Sequence, residues 1–136
     1  MRWRLGRDRR GAVSVEFAVA GVLMLSVTTG LVGAGLLSWT KGGLQAAASA
    51  TARCVALGAP ACATPASYAA TLAGQFVFPG IVSAANVTVT TATSCNGATG
   101  QYVRVAIAGT HWLGSALPVG QDTITVSVTA CHLSGM

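Results

Sequence analysis

The chain is short of charge, and of acid above all: 8% of its 136 residues are charged, and only Asp8, Glu16 and Asp122 are acidic. Soluble domains average about 25% charged residues, so an ordinary cytosolic domain is excluded. Hydrolysis by general acid and base needs paired carboxylates, and beyond residue 58 there is one, Asp122. No G-x-S-x-G elbow presents a serine nucleophile, and nothing in the sequence sets His111 beside a serine. The chain therefore reads as a non-enzyme without a cofactor. Histidine is as scarce as acid, and the two histidines and four cysteines show no C-x2-C or paired-His spacing, so no metal is expected. His111 and His132 read instead as an ordinary loop residue and a terminal residue. Adjacency of Cys131 to His132 does not make a reactive thiol, because a thiolate needs an activating geometry.

Basic residues are crowded rather than scarce. Arg2, Arg4, Arg7, Arg9 and Arg10 fall within the first ten positions, and with Asp8 the segment 1–11 carries +4 of the net +5. Lys41, Arg53 and Arg104 then stand against Glu16 and Asp122, and the remainder is nearly neutral. A nucleic-acid partner would require basic residues along a folded face with aromatics between them, and that footprint is missing.

Directly after the head comes FAVAGVLMLSVTTGLVGAGLLSWT, residues 17–40, twenty-four residues without a charge. As a helix this run is roughly 36 Å long, more than the ~30 Å hydrocarbon core of a bilayer. A buried core helix would need a large apolar domain around it, which the Ala-, Thr-, Ser- and Gly-rich remainder cannot supply. The reading is a single transmembrane helix, with the arginine-rich end held on the cytoplasmic side. Gly30, Gly33 and Gly35 are not a nucleotide loop, since no strand precedes them and they lie inside the span.

Two patterns mark this helix. Glu16 opens the run, and a carboxylate near the end of a span is either a headgroup-level acid favoured by the helix dipole or a group with a partner. Ser26, Gly30, Ala34 and Ser38, continued by Gly42, Ala46 and Ala50, place small side chains every fourth residue, a spacing that lets helices approach closely in a membrane.

The helix is expected to continue from 41 to about 57, ended by Gly58 and Pro60. A second short helix is expected from Pro65 to about Gln75. Strands follow at 86–91, 102–108 and 123–130, each with one apolar face, as with Val103, Val105 and Ile107, or Ile124, Val126 and Val128. Asn86-Val87-Thr88 fits a glycosylation pattern but reads as strand. The fold class is α+β, a long N-terminal helix packed on a small three-stranded antiparallel sheet. Three segments result: a basic leader 1–11, a helix 12–57, and an extracytoplasmic domain 58–136.

Cys54, Cys62, Cys95 and Cys131 lie on the predicted outer side, in a domain with five aromatics, Tyr68, Phe76, Phe78, Tyr102 and Trp112. Oxidised staples would support so thin a core. Four cysteines allow three connectivities. A three-stranded meander would favour Cys95 with Cys131, leaving Cys54 for Cys62.

The basic leader, Gly11, the glutamate five positions later and the apolar helix resemble a type IV prepilin signal. The resemblance implies a prepilin peptidase cutting between Gly11 and Ala12 at the cytoplasmic face. Glu16 would become the fifth residue of the mature chain, paired in a filament with the amino terminus of a neighbouring subunit. RRGAVSVEFAV, residues 9–19, with TARCVALG at 51–58, resembles the TadE-like family of the tight-adherence (Flp) pilus. Many relatives carry a proline after the glutamate, where this chain has Ala20, Gly21 and Val22. What the family implies is a pilin-like minor pilin or pseudopilin of the bacterial inner membrane, with a periplasmic domain, incorporated in the pilus or held at its base. Its partners would be the prepilin peptidase, other pilins and the tight-adherence machinery, and its role pilus assembly for surface attachment and cell adhesion. The competing reading is an envelope binding module or adhesin exported by a Sec-type signal and cut near AAASATA, residues 46–52. A signal h-region spans only about 7–15 residues, far less than this run.

Overall fold

A computed structural model describes residues 10–111 and 123–134. The chain divides into two compact units between Gly35 and Leu36. Trp112 and Asp122 lie outside the described residues, as does the leader up to residue 9.

The first unit contributes the start of helix α1 (Arg10–Ala56). Phe17, Met24 and Leu31 are 79%, 75% and 69% exposed, and Val13, Leu23 and Val27 are exposed beside them. A helix apolar on every side needs an apolar medium around it. Its hydropathy, 1.9 over the best window, makes it long and apolar enough to cross a membrane. The hydroxyls inside the run do not interrupt this: Ser26 donates to the Val22 carbonyl, Thr28 to Met24 at 2.7 Å and Thr29 to Leu25 at 2.8 Å. Each polar group is thereby satisfied within its own helix.

In the second unit, the remainder of α1 from Leu36 buries one stripe. Thr40, Leu44, Ala47, Ala48, Thr51 and Ala52 recur at intervals of three and four and are all at most 1% exposed. Thr40 and Thr51 return their hydroxyls to Leu36 and Ala47, so neither brings an unpaired group into the core. The helix stops at Gly58, φ +63°, whose N–H reaches the Val55 carbonyl at 3.0 Å while Ala59 N–H reaches Cys54 at 3.2 Å. This 5→2 and 6→1 pair is a Schellman cap, which needs the left-handed conformation a glycine takes without strain. A 3-10 turn at Pro60–Cys62, absent from the sequence reading, follows, and α2 runs Pro65–Phe76, with Ala69 and Ala73 buried.

Strands β1 (Val87–Cys95), β2 (Ala98–His111) and β3 (Ile124–Leu133) form an antiparallel meander in that order. The expected bounds were too short, chiefly at the first hairpin. Its turn is Asn96-Gly97, with φ of 50° and 84°, the two-residue geometry that matches strand twist and lets pairing run to the tip. The apolar faces are those expected: Val103, Val105 and Ile107 are 6%, 0% and 1% exposed, and Val128 and Ala130 join them from β3.

This core is thin because it is built of alanine and valine, and the layers come close. A Cβ on Gly109 of β2 would lie 3.3 Å from the Leu44 side chain and 2.8 Å from that of Ile81. Gln45 of α1 donates to the Thr129 carbonyl of β3 at 3.3 Å.

The histidines differ from the expectation. His111 is no loop residue but the buried end of β2, 1% exposed and edge-on to Phe78 with ring centroids 6.3 Å apart. His132 lies within β3, opposite Val103. Buried strand ends were missed because the alternating apolar pattern weakens at Gly109 and Thr110.

Candidate functional site

The amino end of α1 carries the two residues singled out for processing and assembly. Gly11 is exposed, with open space where a Cβ would stand. The Gly11–Ala12 bond lies within the described part of α1. Glu16 is exposed farther along the same helix.

Ser26, Gly30, Ala34 and Ser38 are all exposed, as are Gly42, Ala46 and Ala50. The four-residue row therefore avoids the stripe that α1 buries in its own chain. Close approach within the second unit uses a different glycine: a Cβ on Gly43 would lie 2.9 Å from Phe76 Cβ and 3.0 Å from Val77 Cγ1, whereas Gly42 has open space. Reading at a spacing of four picks out Gly42 and passes over its neighbour. The adjacent glycine pair was the available signal, but two glycines alone do not say which faces inward.

The cysteines are brought together in the order a meander favours. Cys54 bonds Cys62, with Cα atoms 6.1 Å apart, and Cys95 bonds Cys131 at 6.5 Å. The second pair requires a bend. β1 and β3 flank β2, and Cys95 stands opposite Ala98 while Cys131 stands opposite Arg104, so in a flat sheet the two would lie about 20 Å apart along the strands as well as about 9.5 Å across them. Between the pairs Ala92↔Tyr102 and Ser94↔Thr99 the register shifts, setting Gly100 and Gln101 against Thr93. A bulge of this kind curls the hairpin end, here far enough for Cys95 to reach β3.

All four sulfurs are thus committed to disulfides and are not available as metal ligands. His111 and His132 stand against opposite ends of the sheet, His111 opposite Ile124 and His132 opposite Val103, so they do not share a site. Ala47, Ala48, Thr51 and Ala52, within the small-residue stretch considered as a signal-peptidase site, are 0% exposed in the core.

A long apolar N-terminal helix whose distal part packs on a small antiparallel sheet defines the class: an α+β protein with a helix long and apolar enough to cross a membrane. Within it, residues 11–53 match the family model described as TadE-like protein. Over that segment the chain is similar to the TadE-like proteins of the tight-adherence (Tad) pilus system. The match lies wholly within α1 and includes none of the sheet. No curated protein and no solved structure matches the chain.

Proposed function

We propose that this protein is a minor pilin or pseudopilin acting in assembly of the tight-adherence pilus, and through it in surface attachment. The carrying observation is the TadE-like match beginning at Gly11, on a helix where Gly11 and Glu16 are exposed and where Gly11, Ala12 and Glu16 keep the sequence spacing of a prepilin signal. In this reading the chain enters the bacterial inner membrane with its arginines in the cytoplasm and its sheet domain in the periplasm. A prepilin peptidase cuts after Gly11, where the missing side chain allows close approach to the backbone. Glu16 then offers a carboxylate to the new amino terminus of a neighbouring subunit, a pairing that an apolar surrounding demands of an otherwise isolated charge. The exposed row Ser26, Gly30, Ala34 and Ser38 packs against other pilin helices, where small residues permit close backbone contact.

The Sec-exported alternative fares worse on one specific point. Cleavage near Ala52 would sever a helix whose residues 47, 48, 51 and 52 form part of the core.

Intact-mass measurement in cells with and without the prepilin peptidase tests the proposal. The expected product begins at Ala12, and an uncut chain, or one beginning near Ala52, would overturn it. Glu16→Ala is expected to leave processing intact while reducing recovery of the subunit with sheared pili. Normal piliation would return Glu16 to a headgroup-level acid.

A further inference from the structure

Where α1 leaves its apolar run, the second unit presents an aromatic patch that its core does not use. Trp39 is 69% exposed, and Phe76 and Phe78, from the end of α2 and the segment after it, are 43% and 54% exposed. They are joined although far apart in sequence: Trp39 Nε1 donates to the Phe76 carbonyl at 2.9 Å, and Trp39, Phe76, Phe78 and Pro79 line one shallow surface depression. That hydrogen bond satisfies the only polar group of the indole and leaves its rings facing outward.

Helical rise gives the level of this patch. Twenty residues counted from Phe17 span about 30 Å, the thickness of the hydrocarbon core, and end at Leu36. Trp39 stands three residues beyond, about 4–5 Å, within the headgroup layer that adds roughly 5–7 Å on each side. Tryptophan prefers that level, because its ring is apolar and its N–H polar. The charge also suits a phospholipid surface. Lys41 is exposed two residues after Trp39, and no acid stands among the described residues of this unit.

We propose that the Trp39, Phe76, Phe78 and Pro79 surface seats the sheet domain on the outer leaflet of the bilayer, the rings at the headgroup–acyl boundary and Lys41 on lipid phosphate. The surface thus acts as a second, interfacial membrane contact beside the span. This rests on the reading of residues 17–40 as a membrane span, and the test separates the two. The full chain is placed in vesicles of phosphatidylethanolamine and phosphatidylglycerol, some with acyl chains brominated near the headgroup and others near the chain end. In a Trp3→Phe, Trp112→Phe background, Trp39 is expected to lose more emission to headgroup-proximal bromine. No quenching would sink the span and the proposal together. With Trp39→Phe and Phe78→Trp added, position 78 is expected to show the same depth preference. Quenching at 39 without quenching at 78 leaves the span standing and overturns the interfacial seat. Because replacing Trp39 removes its bond to Phe76, a second arm puts a photo-crosslinking phenylalanine analogue at position 78 of the otherwise native chain. Lipid adducts support the proposal. Adducts to a second copy of the chain or to another protein, or none, overturn it.

Discussion

Residues 10–35 and 36–56 belong to one helix, the first richer in valine and the second in alanine, and they are used in opposite ways. In the first stretch valine, leucine and phenylalanine are exposed on every side; in the second, a stripe from Thr40 to Ala52 disappears into a core while Trp39, Gly42 and Ala46 stay outside. Apolar content does not separate the two. What differs is direction: burial by protein needs one face, whereas an apolar medium accepts all of them.

The comparison is most severely tested by removing what holds the second stretch but not the first. Replacing Cys95 and Cys131 by serine opens a link of sequence separation 36, a loss of about 4 kcal/mol if loop entropy dominates. The same change at Cys54 and Cys62, separation 8, is expected to cost about 2.5 kcal/mol. Urea unfolding of the full chain in detergent, followed by hydrogen exchange, should show the sheet and residues 36–56 loosening while 10–35 keep their protection. Loss of protection in both stretches would break the distinction.

Leucine supplies a second, smaller contrast. Leu44→Ala empties a fully buried site and is expected to cost about 3 kcal/mol in the same unfolding measurement. Leu31→Ala, at a residue 69% exposed, should change it by less than about 0.5 kcal/mol.

The smallest effect is the most diagnostic, because neighbours should differ in sign. Gly42→Ala meets open space and is expected to stabilise by about 0.5–1 kcal/mol through helix propensity. Gly43→Ala must push against Phe76 and Val77, including a backbone oxygen 3.3 Å away, and is expected to destabilise by about 1 kcal/mol. Thermal melts of the two variants would decide it, and equal shifts would mean that the packed face has been misassigned.

Much of the fold was legible where a local pattern has one physical solution. An uncharged run of twenty-four residues, the Gly58 and Pro60 stop, and the alternation at Val103, Val105 and Ile107 each admit one reading. The cysteine pairing followed once strand order was granted, since a meander returns the ends of β1 and β3 to the same side of the sheet. Asn96-Gly97 was equally legible as a tight hairpin turn, and reading it would have lengthened β1 and β2 to their observed ends. The residues proposed for processing and assembly rest on spacing, from Gly11 to Glu16, which depends on no tertiary contact.

The remainder depended on contacts between distant parts of the chain. In a stretch where nearly every residue is small or apolar, periodicity cannot say which alanines turn inward; Ala47, Ala48 and Ala52 do so because the sheet lies on that side. For the same reason Gly43 rather than Gly42 became the point of closest approach, and Trp39 found its hydrogen-bond partner thirty-seven residues away. Length, charge and spacing act along the chain and are complete in the sequence. Choosing a face takes a second surface, and that surface exists only once α2 and the sheet have folded against the helix.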